Sequence, residues 1–464
     1  MTFLTFILLF ILTIILFIII TKIIFTKLRQ PKELGVTILV LGDIGRSPRM
    51  EFHAIELSQI CPVNIICYEE TKPLKTILEN KNIKIFPLKT MKPLKAMPLR
   101  FIIWICFYGP LKFLYLFFQI LKHLLISTKP YSHILIQNPP SMPSFLTAAI
   151  AKFFTNCNVV VDWHNTAYSI VMNVNNKPET NIVIRLLKNY ELIIPKYFDY
   201  HFTVTKAMKQ MLIEKGYQSD RITVLYDKPF MNINSSFDQR VELYKRLKKD
   251  LPEYSHSFID TIINNSEKVI CGVSSTSWTP DEDFSVLFDA LLAYEKSEKQ
   301  LPKMLIFITG KGPMREMYEK KIEEENMKRV CIVPVWLSHE DYPLVLSSCD
   351  FGVSLHQSSS QLDLPMKVLD MFGCSLPVLA RGYPCLKDEL VVEGEYGYCF
   401  DNSDELKDLL LNILSSEEKS QLFFEKMKKN VMQKNNITWA QNWKNEVGPL
   451  FLNFKGSFDE KKEK

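Results

Sequence analysis

Short, almost wholly apolar runs recur along this chain, with polar, helix-like segments between them. In the first half they are Val36–Gly45, Asn64–Tyr68, Lys84–Pro87, His133–Gln137 and Asn158–Asp162. Strands that are buried on both faces of a sheet give such continuous apolar runs, and the helices between them carry the chain back to start a parallel neighbour. The pattern therefore predicts the α/β class, with a parallel sheet covered by helices.

The same rhythm restarts after a polar segment, 228–267. The later runs are Lys268–Val273, Met304–Thr309, Cys331–Pro334, Phe351–Ser354 and Leu376–Ala380. We expect two doubly wound domains, 33–227 and 268–438, with 228–267 as a linker that contains some helix. An apolar helix at 439–455 is not needed by the second sheet and is predicted to cross back to the first domain, before a disordered tail, 456–464.

The N-terminus predicts a membrane anchor within residues 1–22. Thr2–Thr21 carries no charge and consists mostly of Leu, Ile and Phe. About 20 apolar residues are needed to cross the bilayer, whereas the apolar part of a signal peptide is only about 7–15 residues long. Because the basic flank follows the run, we expect a single pass with the rest of the chain in the cytosol. That flank consists of Lys22, Lys27, Arg29 and Lys32.

Composition narrows the class of protein further. The ten cysteines are scattered, without a C-x-x-C, and most lie in or beside apolar runs, which suits a reducing compartment. The formal net charge of +5 is too mild to indicate a nucleic-acid partner.

A second apolar stretch, 101–126, interrupts the α/β pattern. It is broken at Gly109-Pro110 and carries Lys112 and Lys122. We interpret it as two helices lying in the bilayer interface, with basic side chains toward anionic head groups. The alternatives are a buried helix of the first domain and a second membrane span.

Polar loops at strand ends mark a candidate site in the first domain. Gly42-Asp43-Ile44-Gly45-Arg46 follows the first strand, and Asp162-Trp163-His164-Asn165 ends or follows the last of its predicted runs. Ligands of doubly wound sheets bind at the carboxyl ends of strands. His164 and Asp43 are the candidate catalytic bases, and Gly42, Gly45, Arg46, Asp162 and Asn165 are expected to line the acceptor side.

The second domain carries the signals of an anion site. In DLPMKVLDMFGCSLPV, Asp363–Val378, Pro365 and Lys367 enter a helix and Asp370 follows. A helix N-terminus with a lysine suits a diphosphate, and a carboxylate one turn further on can accept hydrogen bonds from a ribose. The other expected donor-binding residues follow earlier strands: Ser275, Thr276, Gly310, Lys311 and Gly312.

Thr279-Pro280-Asp281-Glu282 is interpreted as the capped start of a helix. The D-x-D formed by Asp281 and Asp283 could bind a divalent metal, but capping explains these acids, so no metal site is expected. The motifs H-E-x-x-H, G-x-S-x-G and the Walker loop are all absent from the sequence.

With these motifs placed, the chain resembles the chitobiosyldiphosphodolichol β-mannosyltransferase family from about Val36 to Trp443. The segments that carry the resemblance, in the family's order, are VLGDIGRSPRM (Val40–Met50), VDWHN (Val161–Asn165), VLYDKP (Val224–Pro229), SSTSWTPDEDF (Ser274–Phe284), TGKGP (Thr309–Pro313) and DLPMKVLDMFGCSLPV.

The resemblance implies a GT-B fold, with two doubly wound domains facing a cleft. It implies an inverting β1,4-transfer of mannose from GDP-mannose to diphosphate-linked chitobiose on dolichol, without a cofactor. The place would be the cytosolic face of the endoplasmic reticulum membrane, in an early step of N-glycosylation. Other mannosyltransferases that assemble the same lipid-linked oligosaccharide are the candidate protein partners.

The chain departs from the wider group of retaining relatives, which carry a pair of glutamates around the donor loop and a basic pair after the first strand of the second domain. Asp370 stands at the second acid, Asp363 is one residue out of step with the first, and Ser275-Thr276-Ser277 replaces the basic pair. A membrane GT-B enzyme for another nucleotide sugar and a non-catalytic GT-B scaffold are the alternative functions.

Overall fold

The structure is a computed structural model of the chain. It describes residues 13, 16, 19–29, 31, 33–91, 108–229, 233–280, 282–338, 340–434 and 437–454. The chain divides into two compact units, Met1–Tyr226 with Ala440–Lys464, and Asp227–Trp439. Most of the expected anchor, 1–22, and the expected tail, 456–464, lie outside the described residues.

A seven-stranded sheet forms the centre of the first unit. All of its pairings are parallel, in the order β3-β2-β1-β4-β5-β6-β7. The strand order reverses between β1 and β4, because β2 and β3 lie on one side of this point and β5 to β7 lie on the other. The carboxyl ends of β1 and β4 therefore border the crevice where such sheets bind ligands. The strands are β1 (Val36–Asp43), β2 (Val63–Tyr68), β3 (Ile83–Pro87), β4 (His133–Asn138), β5 (Asn158–Trp163), β6 (Tyr200–Thr203) and β7 (Ile222–Val224).

The helices of the first unit connect these strands. They are α1 (Pro48–Ser58), α2 (Lys75–Leu78), α3 (Gly109–Lys122), α4 (Ser144–Thr155), α5 (Ala167–Val174), α6 (Ile182–Ile193) and α7 (Lys206–Glu214). Residues 19–29 form a further helix, which touches α4: Thr26 Oγ1 donates to the carbonyl of Phe154 at 3.1 Å.

Helix α3 and the π-helical turn after it, His123–Ser127, cover the later part of the stretch interpreted as interfacial. Among the described residues, Gly109–Ser127 is the helix long and apolar enough to cross a membrane, and 17% of that stretch is buried. Leu111, Leu114 and Phe118 are 47–62% exposed on α3, which fits a buried helix poorly. Residues 101–107, where the other predicted helix would lie, are outside the described residues.

The second unit has a six-stranded parallel sheet in the order β10-β9-β8-β11-β12-β13. The strand order of this sheet reverses between β8 and β11. The strands are β8 (Val269–Ser275), β9 (Lys303–Thr309), β10 (Val330–Val335), β11 (Phe351–Ser354), β12 (Val378–Arg381) and β13 (Gly397–Phe400). The two sheets confirm the predicted α/β class.

The helices of the second unit begin within the segment that the sequence suggests is a linker. They are α8 (Phe237–Leu247), α9 (His256–Ile263), α10 (Ser285–Glu295), α11 (Arg315–Glu325), α12 (Asp341–Ser348), α13 (Met366–Gly373), α14 (Pro384–Glu389), α15 (Ser403–Ile413) and α16 (Glu417–Lys434). Most of 228–267 therefore belongs to the second unit rather than to a free linker, because the apolar faces of α8 and α9 are buried there. Those faces consist of Leu243, Tyr244, Leu247, Ile259 and Ile262.

The chain ends in the first unit. From Ala440 onward, α17 (Trp439–Glu446) and the following residues belong to that unit. Trp443 and Phe451 are 2% and 0% exposed, and their rings stack at 6.2 Å. The ring of Phe451 also meets that of His133 on β4 edge-on at 5.2 Å. These contacts bury aromatic area against the first sheet.

We expect Phe451→Ala to lower the free energy of unfolding by about 3–5 kcal/mol, since it leaves a cavity in the core of the first unit. Leu452→Ala is the matched control because Leu452 is 48% exposed, and its effect is expected to stay within about 0.5 kcal/mol. Denaturant unfolding of the purified full chain measures both values. Equal stabilities of the two variants would contradict the burial of Phe451.

Candidate active site

An open cleft of about 560 Å³ lies at the carboxyl ends of β8, β9 and β10 in the second unit. The first turns of α12 and α13 complete its wall. Its lining residues are Ser275, Thr276, Ser277, Thr309, Gly310, Lys311, Trp336, Leu337, Ser338, Tyr342, Lys367 and Asp370. Six of the eight residues predicted to bind a donor are in this wall. The other two are Pro365, the N-cap residue of α13, and Gly312, which supports the loop after β9.

Gly310 and Gly312 allow two loops to lie against each other. Gly310 has a φ of +134°, and a Cβ there would stand 1.8 Å from the carbonyl oxygen of Thr276. A Cβ on Gly312 would stand 1.7 Å from the carbonyl oxygen of Ser277. Any side chain at these positions would displace the backbone of the opposite loop, so the glycines are required for this close approach.

Glu282 connects the loop after β8 with α13. Its Oε2 accepts from the Ser277 N–H at 2.5 Å and from the Ser277 hydroxyl at 2.8 Å, and its Oε1 lies 2.5 Å from Lys367 Nζ. Burial raises the pKa of this carboxyl, but His356, Lys367 and the Ser277 N–H outweigh burial and hold the pKa well below its ordinary value. Glu282 is therefore an ionised partner of Lys367.

This arrangement corrects the predicted helix start at 279–282. Helix α10 begins at Ser285, and the Asp283 carboxylate accepts from the Ser285 N–H at 3.1 Å. Glu282 is therefore not part of a capped helix start, because its carboxylate bonds the Ser277 loop and Lys367. Asp281 lies outside the described residues, and among the described ones no group of three or more His, Cys, Asp or Glu side chains could hold a metal ion.

Asp370 belongs to a polar chain along the cleft. Tyr342 bonds its carboxylate, the Tyr342 hydroxyl lies 3.0 Å from Ser275 Oγ, and Thr309 Oγ1 donates to Ser275 Oγ at 3.1 Å. Burial raises the pKa of Asp370 to about 6, and the bond from Tyr342 only partly opposes this rise. The carboxylate is mostly ionised at neutral pH and can accept hydrogen bonds from a hydroxylated ligand.

Sequence reasoning missed Trp336, whose side chain is 59% exposed in the cleft wall. Lys311 Nζ stands 4.0 Å from the centre of its ring. The signal that could have identified it is its position directly after β10. The predicted run, Cys331–Pro334, stopped short of the strand's true end at Val335.

In the first unit, the fully buried carboxylate of Asp162 holds several cationic or donor groups together. Arg49 Nε and Nη2 each donate to it at 2.8 Å, and the Nε2 atoms of His53 and His164 lie 3.1 Å and 2.8 Å from its Oδ2. Burial raises the pKa of Asp162, but Arg49 and the two histidines outweigh burial and keep the pKa well below its ordinary value.

Trp443 fixes the tautomer of His53. Its indole N–H can only donate, and it lies 3.0 Å from His53 Nδ1. His53 Nδ1 is therefore the acceptor, so its Nε2 carries the proton and donates to Asp162. Because an ionised carboxylate can only accept, His164 Nε2 must also carry a proton, and the neutral His164 presents its lone pair on Nδ1. The His164 side chain is 23% exposed, so it is partly open to solvent.

Asp43 is committed to a loop. Its carboxylate accepts from the Thr71 N–H at 3.1 Å, the Thr71 hydroxyl at 2.5 Å and the Glu70 N–H at 3.0 Å. Burial opposes its charge, but these bonds and Arg46 lower the pKa of Asp43 overall. A weakly basic carboxylate with this many donors is a poor proton acceptor.

The other residues predicted on the acceptor side have mixed roles. Gly45 is required, since a Cβ there would stand 2.6 Å from Thr71 Oγ1, whereas Gly42 lies inside β1 and a Cβ would meet only ordinary contacts. Arg46 is exposed and lies 3.5 Å from Asp43. Asn165 Oδ1 accepts from the N–H of Thr166, which precedes α5.

The pKa of Asp370 generates a test of the cleft. A protonated Asp370 contributes stability that is fully present below its ordinary pKa and is lost as pH rises through about 6. Asp370→Asn removes this dependence, so above pH 7 we expect the variant to be more stable than the parent by up to about 3 kcal/mol. The difference should vanish below about pH 4. Denaturant unfolding across this pH range measures it, and parallel curves for the two proteins would refute the shifted pKa.

Comparison with known proteins finds similarity to glycosyltransferases. Residues 286–430 match the family model described as "Glycosyl transferases group 1". Anabaena HepE in complex with UDP and glucose superposes with a TM-score of 0.57 at 16% identity, covering 93% of this chain and 100% of that one. A Thermosynechococcus elongatus sucrose-phosphate synthase gives 0.59 at 12% identity, with 92% and 100% covered. These likenesses establish a GT-B fold.

Curated relatives are closer in sequence. The chain is 37% identical to the chitobiosyldiphosphodolichol beta-mannosyltransferase of Debaryomyces hansenii, over 90% of this chain and 88% of that protein. The mouse protein of the same name is 34% identical, with 89% and 88% covered. An Arabidopsis thaliana relative named "UDP-glycosyltransferase TURAN" is also 34% identical, with 89% and 96% covered. By identity and coverage, this chain is a glycosyltransferase that belongs to the chitobiosyldiphosphodolichol beta-mannosyltransferase family.

Proposed function

We propose that this enzyme transfers mannose from GDP-mannose to chitobiose-diphosphodolichol, with inversion at the anomeric carbon. The observation that carries the proposal is the convergence of Ser275, Thr276, Gly310, Lys311, Lys367 and Asp370 on one cleft of the second unit. Membership of the mannosyltransferase family supports the acceptor. The proposed place is the cytosolic face of the endoplasmic reticulum membrane, in early assembly of the lipid-linked oligosaccharide.

The cleft suits a nucleoside diphosphate. Lys311 and Lys367 line its wall, and α13 begins at Met366 beside Lys367, so the N-terminus of this helix can attract an anion. The leaving diphosphate gains negative charge as the glycosidic bond breaks, so these groups stabilise the transition state more than the bound donor. A bound diphosphate competes with Glu282 for Lys367, while Glu282 keeps its bonds to Ser277.

The nucleoside has two supports in this proposal. The Asp370 carboxylate accepts hydrogen bonds from the ribose hydroxyls. The exposed ring of Trp336, beside Lys311, offers a flat apolar face for the nucleobase. Guanine is the base expected from the family's mannose donor.

We assign the general base to His164 rather than Asp43. The acceptor hydroxyl must lose a proton as it attacks the anomeric carbon, and His164 Nδ1 offers the lone pair for that proton. When the imidazole becomes cationic, the ionised Asp162 on its other nitrogen stabilises the charge. The carboxylate of Asp43 instead accepts hydrogen bonds from Thr71 and Glu70.

A donor screen tests the proposal. The purified full chain in detergent should transfer sugar to a short-chain chitobiose-diphosphate lipid from GDP-mannose and not from UDP-glucose or UDP-N-acetylglucosamine. A β-mannosidase should release the added sugar and an α-mannosidase should not. The name of the Arabidopsis relative makes the UDP sugars the right competitors, and transfer from either of them in place of GDP-mannose would overturn the assignment.

Two variants separate the candidate bases. His164→Ala should reduce kcat by about 10²–10⁴-fold with little change in KM for GDP-mannose, because general-base catalysis typically contributes that much. Asp43→Asn keeps an acceptor oxygen for the loop at Thr71 and should retain activity within about tenfold of the parent, since a neutral hydrogen bond contributes about 1 kcal/mol. The opposite ranking of the two variants, with both proteins folded, would assign the base to Asp43.

A further inference from the structure

One face of α6 in the first unit exposes an apolar stripe that the proposed chemistry does not use. Ile182, Leu186 and Ile193 lie within about 40° of one another around the helix axis. They are 65%, 63% and 50% exposed, and Tyr197, one turn beyond the helix, is 77% exposed. Ile184 and Glu191 on the opposite side are buried, as is Leu192 on the flank. Such a row of large exposed apolar side chains marks a binding surface rather than ordinary surface variation.

The stripe runs into a cavity of about 580 Å³ that Lys22, Phe153, Ile193 and Tyr197 help to line. Lys22 Nζ stands 4.3 Å from the centre of the Phe153 ring. Lys22 is also the first residue after the uncharged run Thr2–Thr21, so it marks the level at which the proposed anchor leaves the bilayer. Because Lys22 lines the same cavity as Ile193 and Tyr197, we expect the Tyr197 end of the stripe to lie near the level of the head groups.

Among the described residues beside the stripe, the charged side chains without an ion pair are all positive. Lys177, Arg185 and Lys196 are exposed and form no ion pair with any residue that the structure describes, whereas Glu179 and Asp199 are paired with Lys188 and Lys152. Apolar side chains flanked by unpaired cations match an acidic bilayer surface, where the apolar groups enter the interface and the cations meet phosphates.

We propose that the stripe Ile182–Tyr197 lies on the cytosolic surface of the membrane and inserts into an acidic phospholipid interface, as a second contact beside the anchor. The inference rests on the cytosolic topology in the proposed function and not on the identity of the sugar donor. It gives α6 two faces with different tasks. The buried Glu191 accepts from the N–H groups of Ala167 and Tyr168 at 2.7 Å and 2.9 Å, and from Asn138 at 2.7 Å. The membrane-facing helix is thus bonded to the segment that follows His164.

Lipid quenching tests the contact directly. The full chain with Leu186→Cys, labelled with an environment-sensitive fluorophore in nanodiscs containing phosphatidylserine, should be quenched several-fold more by spin-labelled lipids than the Glu324→Cys control on the exposed polar face of α11. Arg185→Glu with Lys177→Glu should weaken the quenching in acidic nanodiscs but not in neutral ones. Equal quenching at positions 186 and 324 would overturn the proposal. Energy transfer between labelled copies without lipid quenching would instead identify a self-association face.

An activity measurement separates this inference from the proposed reaction. Ile182→Ser with Leu186→Ser should raise KM for a long-chain acceptor in acidic liposomes about fivefold to tenfold, and should leave kcat on a short-chain acceptor in detergent unchanged. Leu422→Ser, at an exposed leucine of the second unit, is the matched control. An unchanged KM in liposomes would contradict a role for the stripe in acceptor use. Quenching needs no turnover, so a chain that fails to transfer mannose still reports whether the stripe meets lipid.

Discussion

The buried carboxylate of Asp162 is the interaction on which the first unit depends. An ionised carboxylate without contact with solvent is costly unless donors surround it. Here Arg49 supplies two hydrogen bonds, and His53 and His164 each supply one more. The same requirement for donors fixes the protonation of both rings, so a demand of burial also determines which nitrogen of His164 is basic. Stability and proposed chemistry share one group.

The second unit solves a related problem with Glu282. Its carboxylate does not cap a helix. It bonds the Ser277 N–H in the loop after β8 and also Lys367 on α13, and so connects the two elements. The negative charge of Glu282 thereby holds Lys367 in position in the cleft wall. Gly310 and Gly312 make the neighbouring loops close enough to act as one wall. The predicted donor-side residues are brought together by strand ends, as expected for parallel sheets.

Periodicity and strand-length apolar runs were sufficient to predict the α/β class, because strands buried on both faces leave a strong signal. The sequence does not predict three shorter strands toward the ends of the sheets. Tyr200–Thr203, Ile222–Val224 and Gly397–Phe400 are only three or four residues long, and the first two mix polar with apolar residues. Strand-end polar residues were found by position alone. Position alone could not predict the roles of Glu282 and Trp443. Glu282 follows Thr279-Pro280, so helix capping explains it adequately from the local sequence. Trp443 contacts His53, which lies 390 positions away in the sequence.

The contact between Trp443 and His53 can form only late in the synthesis of the chain. The first unit is discontinuous, and its buried Trp443 and Phe451 are synthesised only after the whole second unit. Domains usually fold as units during translation, from the N-terminus onward. When Asp162 and His164 have left the ribosome, Trp443, whose indole holds His53 in place, has not yet been synthesised. Partial chains therefore lack the indole N–H that holds the His53 ring, and only translation through this last segment completes the hydrogen-bond network around Asp162.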